Sequence, residues 1–333
     1  MVKHPSAING GAKSVRFHDL LGPQTSFLAD VLSGLARPQK SIPPKYFYDE
    51  AGSHLFEAIC ELPEYYPTRT EIALMKARIS DIAMHLGSGV QLIEFGSGAS
   101  IKTRLLIEAL RPANYVPIDI SESALREACE RLHRAYPALH INAVCADFTQ
   151  PLSLRAPVVM FDAPRVVYFP GSTIGNFTRA AAQVFLSNIA AMLGGDGKLL
   201  IGVDLKKERA VLEAAYDDAQ GVTALFNLNL LVRMNRELGA DFRVEHFRHR
   251  AFYDEALGRI EMHLESLAAQ TVRIAGQGFD FRRGETLHTE ISCKYSVSEF
   301  QDMGRAAGFL PLDVWTDAER LFSVHLMSVR APK

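Results

Sequence analysis

Material for disulfides, metal fingers and membrane spans is what this chain has least of. Four cysteines among 333 residues, Cys60, Cys129, Cys145 and Cys293, are widely scattered and form no CxxC pair. That spacing excludes a disulfide framework or a cysteine zinc site and leaves reduced, buried thiols of a cytoplasmic protein. No apolar run approaches the ~18 residues that a spanning helix needs, so no membrane partner is expected. A formal net charge of -2 gives no electrostatic case for nucleic acid or an anionic membrane. The start, MVKHPSAINGGAKS, lacks the apolar stretch of a signal peptide, and residues 1–16 read as a disordered tail. Repeats and low-complexity linkers are missing too. A soluble, cytoplasmic monomer acting on a small molecule is the expectation.

What is present is an ordinary globular balance, 48% hydrophobic and 22% charged, long enough for one large or two medium domains. From about residue 91, short apolar runs alternate with helical patterns, the signature of an α/β protein with a parallel sheet and crossover helices. The runs are VQLIEF (90–95), YVPIDI (115–120), INAVCA (141–146), VVYFPG (166–171) and KLLIGVDL (198–205). Helices are predicted at about 69–86, 102–110, 121–136 and 176–193. After Asp204 the texture changes. Two helices broken near Asp217–Gly221 precede a strand-rich, antiparallel-looking stretch that ends in LHTEISCKY (287–295). A capped helix and two strands then resume the first pattern. Residues 69–205 and 296–333 are therefore assigned to a nucleotide-binding-type sheet. Residues 17–68 and 206–295 are assigned to a second, α+β substrate-binding lobe near the carboxyl ends of the parallel strands, where open α/β sheets bind ligands.

LIEFGSGASIKTR places Glu94, Gly96 and Gly98 at the end of the first strand of that sheet. A dinucleotide fingerprint would want a third glycine, but Ile101 stands there. An acidic residue before GxG without that glycine is instead typical of S-adenosylmethionine sites, which have no pyrophosphate to cradle. Asp119 of PIDIS is placed for ribose hydroxyls, and Asp147 with Phe148 of CADF for the adenine amino group and ring edge. Each alone could be a strand-end polar group; three acidic residues ending three successive strands point to a nucleoside cofactor.

The set LPEYYPTRTE, EFGSGASIKTR, VPIDIS, GSTIGNF, AYDDAQGVTALFNLNLL, NRELGADF, RIEMHL and TEISCK closely resembles the histidine-specific, S-adenosylmethionine-dependent methyltransferases of ergothioneine biosynthesis. The likeness runs from about residue 41 to the C-terminus. It implies a class I (Rossmann-like) methyltransferase sheet with a substrate lobe. It also implies transfer of three methyl groups to the α-amino nitrogen of L-histidine, giving hercynine, with S-adenosylhomocysteine as the second product. By position it implies cofactor contacts at Gly96, Lys102, Asp119, Asp147 and Phe148. Histidine contacts fall on Tyr65, Asn176, Tyr216, Glu290 and Ser292, with Tyr48, Thr223, Phe226 and Met262 around the pocket.

The chemistry asks for positioning more than for a strong base. Amino termini titrate near ~8, so a neutral fraction exists at mildly basic pH. Asn176 is expected to orient amine and carboxylate, with Tyr48 or a water chain accepting the proton. Tyr65 and Phe226 are candidates for the aromatic wall around the growing cation. Bland alternatives stand beside these roles: Asn176 as a helix N-cap, Tyr216 as a core tyrosine, Asp217 and Asp218 as turn and cap groups. His246 and His249 would face opposite sides of a strand, so no metal is expected. In TEISCK, strand alternation would set Glu290 and Ser292 on one face with His288 and Lys294, opposite Leu287, Thr289, Ile291 and Cys293. A carboxylate plus a hydroxyl there could satisfy both imidazole nitrogens. His288 and Lys294 gain no role from this pattern.

Overall fold

The computed structural model describes residues 15–21, 26–97, 101–155, 158–159 and 162–330. Gly98 and the tail up to residue 14 lie outside the described residues. The centre is an eight-stranded sheet. Its strands are β1 (Val15–Asp19), β2 (Gln91–Phe95), β3 (Asn114–Asp119), β4 (Ile141–Cys145), β5 (Arg165–Phe169), β6 (Lys198–Asp204), β12 (Phe309–Thr316) and β13 (Phe322–Val329). The order is β1-β4-β3-β2-β5-β6-β13-β12, parallel except for the antiparallel pairs of β13 with β6 and β12. Every residue of β2 is buried, as expected when helices cover both faces of a parallel sheet.

On one face pack α3 (Tyr66–Leu86), α4 (Ile101–Leu110) and α5 (Glu122–Ala135), around Leu74, Leu106 and Leu125. On the other pack α6 (Arg179–Leu193) and α9 (Val297–Ala306), around Leu186 and Phe300. The chain leaves β2 for β3 and β4 on one side and later returns on the other side as β5. The topological switch point therefore lies between β2 and β5, whose carboxyl ends carry Gly96 with Ser97 and the GSTIGN turn.

A third core joins α1 (Phe27–Leu35), α2 (Glu50–Glu61) and α8 (Val222–Leu238) to two small antiparallel sheets. One sheet is β11-β8-β7, formed by β7 (Phe247–Asp254), β8 (Arg259–Ser266) and β11 (Thr286–Cys293). The other pairs β9 (Gln270–Ile274) with β10 (Gln277–Phe281). The short α7 (Arg209–Ala214) packs Leu212 against Tyr253 and Ile260.

Several boundaries differ from the sequence reading for local reasons. β1 pairs in register with β4, so residues assigned to the tail and to the second lobe supply an edge strand of the main sheet. Helix α3 starts at Tyr66, because Pro67 is tolerated in a first turn. Helix α6 starts only at Arg179, capped by Thr178, because Thr173–Asn176 forms a separate 3₁₀ turn. Asn176 is therefore not the N-cap. β10 was not foreseen: Ala275 (φ 48°) and Gly276 (φ 78°) turn the chain straight back, the geometry of a tight hairpin.

Candidate active site

β11 carries a register shift between His288 and Glu290. Thr289 is the extra residue, so strand parity changes there. Directly paired residues share a face: Leu287 sits opposite Leu264, Glu290 opposite Met262, and Ser292 opposite Ile260. Glu290 and Ser292 therefore share the face of Leu287. His288, expected beside them, pairs with His263 on the reverse face. There Glu261, His263 and His288 bring ligand-type atoms within 4.8 Å of one another. That group has internal reasons to cluster: Glu261 accepts from Arg259 and lies 2.9 Å from His263 Nε2, while His288 Nε2 bonds the Glu290 carbonyl at 3.1 Å.

The inner face of β11 closes a cavity of about 580 Å³, measured to its open mouth. Its lining contains all nine residues that the sequence singled out for the substrate: Tyr48, Tyr65, Asn176, Tyr216, Thr223, Phe226, Met262, Glu290 and Ser292. Phe56, Ile59, Ala215 and the backbone turn at residues 171–173 complete it. Phe56 and Ile59 come from α2, a helix without a strong signal in the sequence. One wall is aromatic. Tyr48 meets Phe56 and Phe226 edge-on at 5.6 and 5.9 Å, and Tyr65 meets Tyr216 at 6.3 Å.

Gly175 lets the 3₁₀ turn lie against β11: a side chain there would begin 3.0 Å from the Cys293 carbonyl and 3.2 Å from Ser292 Oγ. This approach brings the Asn176 amide to donate to Glu290 Oε1 at 2.9 Å. The sequence assigns Asn176 to the amine and carboxylate of a substrate and Glu290 to its imidazole, yet in the fold the two side chains touch. Burial pushes the Glu290 carboxyl up to about 7, against the opposing pull of Lys294 and of the Asn176 bond. Tyr48 is 40% exposed and lines the cavity, yet the packed surroundings and nearby Glu290 hold its hydroxyl well above the usual phenol range. It stays a neutral phenol, which weakens it as a proton acceptor.

Asp218 accepts from the Val222 and Thr223 amides at 3.0 and 2.7 Å. It is thus a cap of α8, as the turn residues suggested, and fixes Thr223 at the cavity. The His249 side chain is buried and bonds Asn227 through Nδ1 and the Tyr216 carbonyl through Nε2, so it supports the aromatic wall.

Behind Ser292 lies a polar group that the sequence did not reveal. Lys294 is fully buried and donates to Asp204 Oδ2 at 2.6 Å, to Ser292 Oγ at 2.9 Å and to the Tyr216 hydroxyl at 3.1 Å. Asp204 also accepts from Tyr66 and Lys207. Burial alone would depress the Lys294 ammonium, but Asp204 holds it above its ordinary range. The two ammonium groups in turn overcome burial and hold Asp204 low, while burial brings Lys207 down to about 8. One signal was available: a lysine two residues beyond Ser292 on a strand must share its face.

The cofactor end is less uniform than expected. Gly96 adopts φ +69°, which favours glycine, and places Phe148 3.9 Å from where a side chain would start. Ser97 is 2% exposed and its hydroxyl finds no partner among the described residues. Asp119 and Asp147 end β3 and follow β4, each half-buried. Glycine, an unpaired hydroxyl and two carboxylates suit the amino-acid and nucleoside ends of S-adenosylmethionine. Glu94 is turned inward: its carboxylate accepts from Tyr115 at 2.6 Å and Thr103 at 2.8 Å, and burial pushes it up to about 7. It therefore braces the turn from below. Lys102 is committed to Glu71, which also accepts from the Gly171 amide at 2.9 Å. That bond ties the GSG end to the rim of the cavity.

A switch-point glycine turn beside an aromatic and polar cavity defines a class I methyltransferase with a small-molecule acceptor site. Residues 27–329 match the family described as histidine-specific, S-adenosylmethionine-dependent methyltransferases, and the chain belongs to that family. It is 43% identical over 303 residues to the histidine N-alpha-methyltransferase of Mycolicibacterium smegmatis, covering 89% of this chain and 93% of that one. The histidine N-alpha-methyltransferase of Mycobacterium tuberculosis is 42% identical over 92% of this chain and 97% of its own length. Ergothioneine biosynthesis protein 1 of Neurospora crassa is 30% identical over 89% of this chain, which spans 34% of that protein.

Proposed function

We propose that this protein methylates the α-amino nitrogen of L-histidine three times, giving hercynine for ergothioneine biosynthesis. The observation that carries the reading is Glu290 and Ser292 on the inner face of β11, within an aromatic cavity beside the switch point. S-adenosylmethionine, when bound, supplies an electrophilic methyl on a sulfonium. Gly96, Ser97, Asp119, Asp147 and Phe148 would hold it, with Lys102 and Glu94 bracing that end.

The chain's own contribution is alignment. Holding the amine in line with the methyl group is worth roughly 7–11 kcal/mol of barrier. Asn176 has four hydrogen-bonding positions, and one N–H is taken by Glu290. The rest are available to orient the amine and carboxylate. Tyr48, a neutral phenol, relays rather than removes the proton, and water at the cavity mouth takes it. The aromatic wall stabilises the cation that builds with each methylation. We further propose that the third core forms a separate substrate lobe and that the protein works as a cytoplasmic monomer. Among the described residues, no helix is long and apolar enough to cross a membrane.

The test is to incubate the protein with S-adenosylmethionine and each common amino acid and to identify products by mass. Trimethylhistidine alone supports the reading. A product from another amino acid supports a relative with a different acceptor, and no product from histidine refutes histidine as substrate.

A further inference from the structure

The hydrogen atoms around Lys294 can be counted. Its ammonium has three N–H bonds, and Asp204, Ser292 and Tyr216 take all three. Tyr216 and Ser292 lie 2.8 Å apart, and that contact uses one of their two hydroxyl protons. One hydroxyl proton is left over. Both oxygens already accept from the ammonium, so the pair has a proton to give and little lone-pair density to offer. Both residues line the cavity, and among the described residues no further acceptor takes the spare proton, which leaves it to the cavity.

Glu290 presents the opposite character. One of its oxygens accepts from Asn176, and above about pH 7, where the carboxylate is ionised, it can only accept. The cavity therefore offers one donor and one acceptor on the same strand face. We propose that Lys294, anchored by Asp204, is a positioning residue. It makes the Ser292–Tyr216 pair an obligatory donor, so the cavity selects a neutral aromatic ring carrying a bare acceptor nitrogen as well as an N–H. This rests on histidine being the substrate and adds what the imidazole must be: neutral, in one tautomer. An imidazolium would turn a second N–H against a group that cannot accept it, and a donor left unpaired in a buried site is costly.

The anchor is itself held. Tyr66 and Lys207 fix the other positions of the Asp204 carboxylate, and its backbone lies in β6 at the sheet centre. Lys294 is thus held by a fixed anchor. Removing its ammonium would free lone pairs on Ser292 and Tyr216, and the pair could then accept as readily as it donates.

The experiment measures dissociation constants in the presence of S-adenosylhomocysteine for histidine and for pyrrol-2-ylalanine and pyrrol-3-ylalanine. Each analogue keeps one ring N–H and replaces the other nitrogen by C–H. Wild-type protein is expected to prefer histidine over the better analogue by at least about tenfold, the weight of one buried unpaired donor. In Lys294→Met, folded by circular dichroism, that preference should fall to within about threefold, because the hydroxyls no longer demand an acceptor. A structural defect alone would weaken all three ligands together and leave the ratio intact; an intact ratio in the folded variant overturns the proposal. Should the variant fold poorly, the wild-type ratio still decides: equal binding of histidine and an analogue refutes the obligatory donor. Failure of wild type to bind histidine at all would instead overturn the substrate on which the proposal rests.

Discussion

Replacing Glu290 by glutamine should make the protein more stable and less able to recognise its substrate. Glu290 is 9% exposed, and burial moves the titration of its carboxyl from an ordinary 4.5 to about 7. Below pH 4.5 the acid is protonated in both folded and unfolded chains, and its environment has no pH-dependent effect on stability. Between about 4.5 and 7 the unfolded chain gives up the proton while the folded one keeps it, so stability falls as pH rises. Above about 7 both are ionised and the loss is complete, roughly 3 kcal/mol at ~1.4 kcal/mol per pH unit. Glutamine has nearly the same shape, can still accept from Asn176, and does not titrate. Urea unfolding of wild type and Glu290→Gln, without ligands, at intervals from pH 4.5 to 8.5 would read the difference. The variant's advantage should grow across that range towards about 3 kcal/mol and then level off. A difference that stays constant with pH, or one that favours wild type more as pH rises, would refute the reasoning.

Glu290→Ala should lower histidine turnover severely and flatten discrimination among aromatic amino acids, read by competition assays; unchanged selectivity for histidine would sink the clamp. Gly175→Ala should push the 3₁₀ turn off β11, since the new methyl would start 3.0 Å from a strand carbonyl. A ~10–100-fold fall in kcat/KM with S-adenosylhomocysteine affinity unchanged is expected. Asp218→Ala removes a cap of α8 and should cost about 1 kcal/mol, measured by urea unfolding. Phe226→Ala empties a ring that is 3% exposed and stacked on Phe47 at 4.6 Å, and should cost about 3–5 kcal/mol by the same method.

The alternating sheet was legible because each buried parallel strand is a short apolar run followed by a turn, a pattern set by local sequence. The cavity's lining residues were legible through motif likeness, which compares side chains position by position. Three things escaped. The bulge at Thr289 escaped because parity along LHTEISC depends on a partner strand 27 residues away in sequence, with which Thr289 also bonds through the Met262 carbonyl. The inward turn of Glu94 escaped because Tyr115, which binds it, belongs to the next strand. Lys294 escaped because its partner Asp204 lies 90 residues earlier, and a lone lysine at a strand end looks like surface. In each case the missing information was a long-range contact.

The bulge has a consequence for how this site can change over time. Before it, residues near His288 pair with the stretch around Ser41 and hold the N-terminal segment in place. Beyond it, Glu290 and Ser292 look inward. Swapping one side chain for another at those positions alters which acceptor fits and leaves the frame alone. Pairing Thr289 regularly with Met262, with no bulge, would exchange inside for outside along the rest of the strand, turning Ile291 and Cys293 to the cavity and expelling the clamp, whereas deleting Thr289 would leave Glu290 opposite Met262. Lineages of this enzyme can therefore explore new acceptors by substitution in β11 for as long as Glu290 stays paired with Met262.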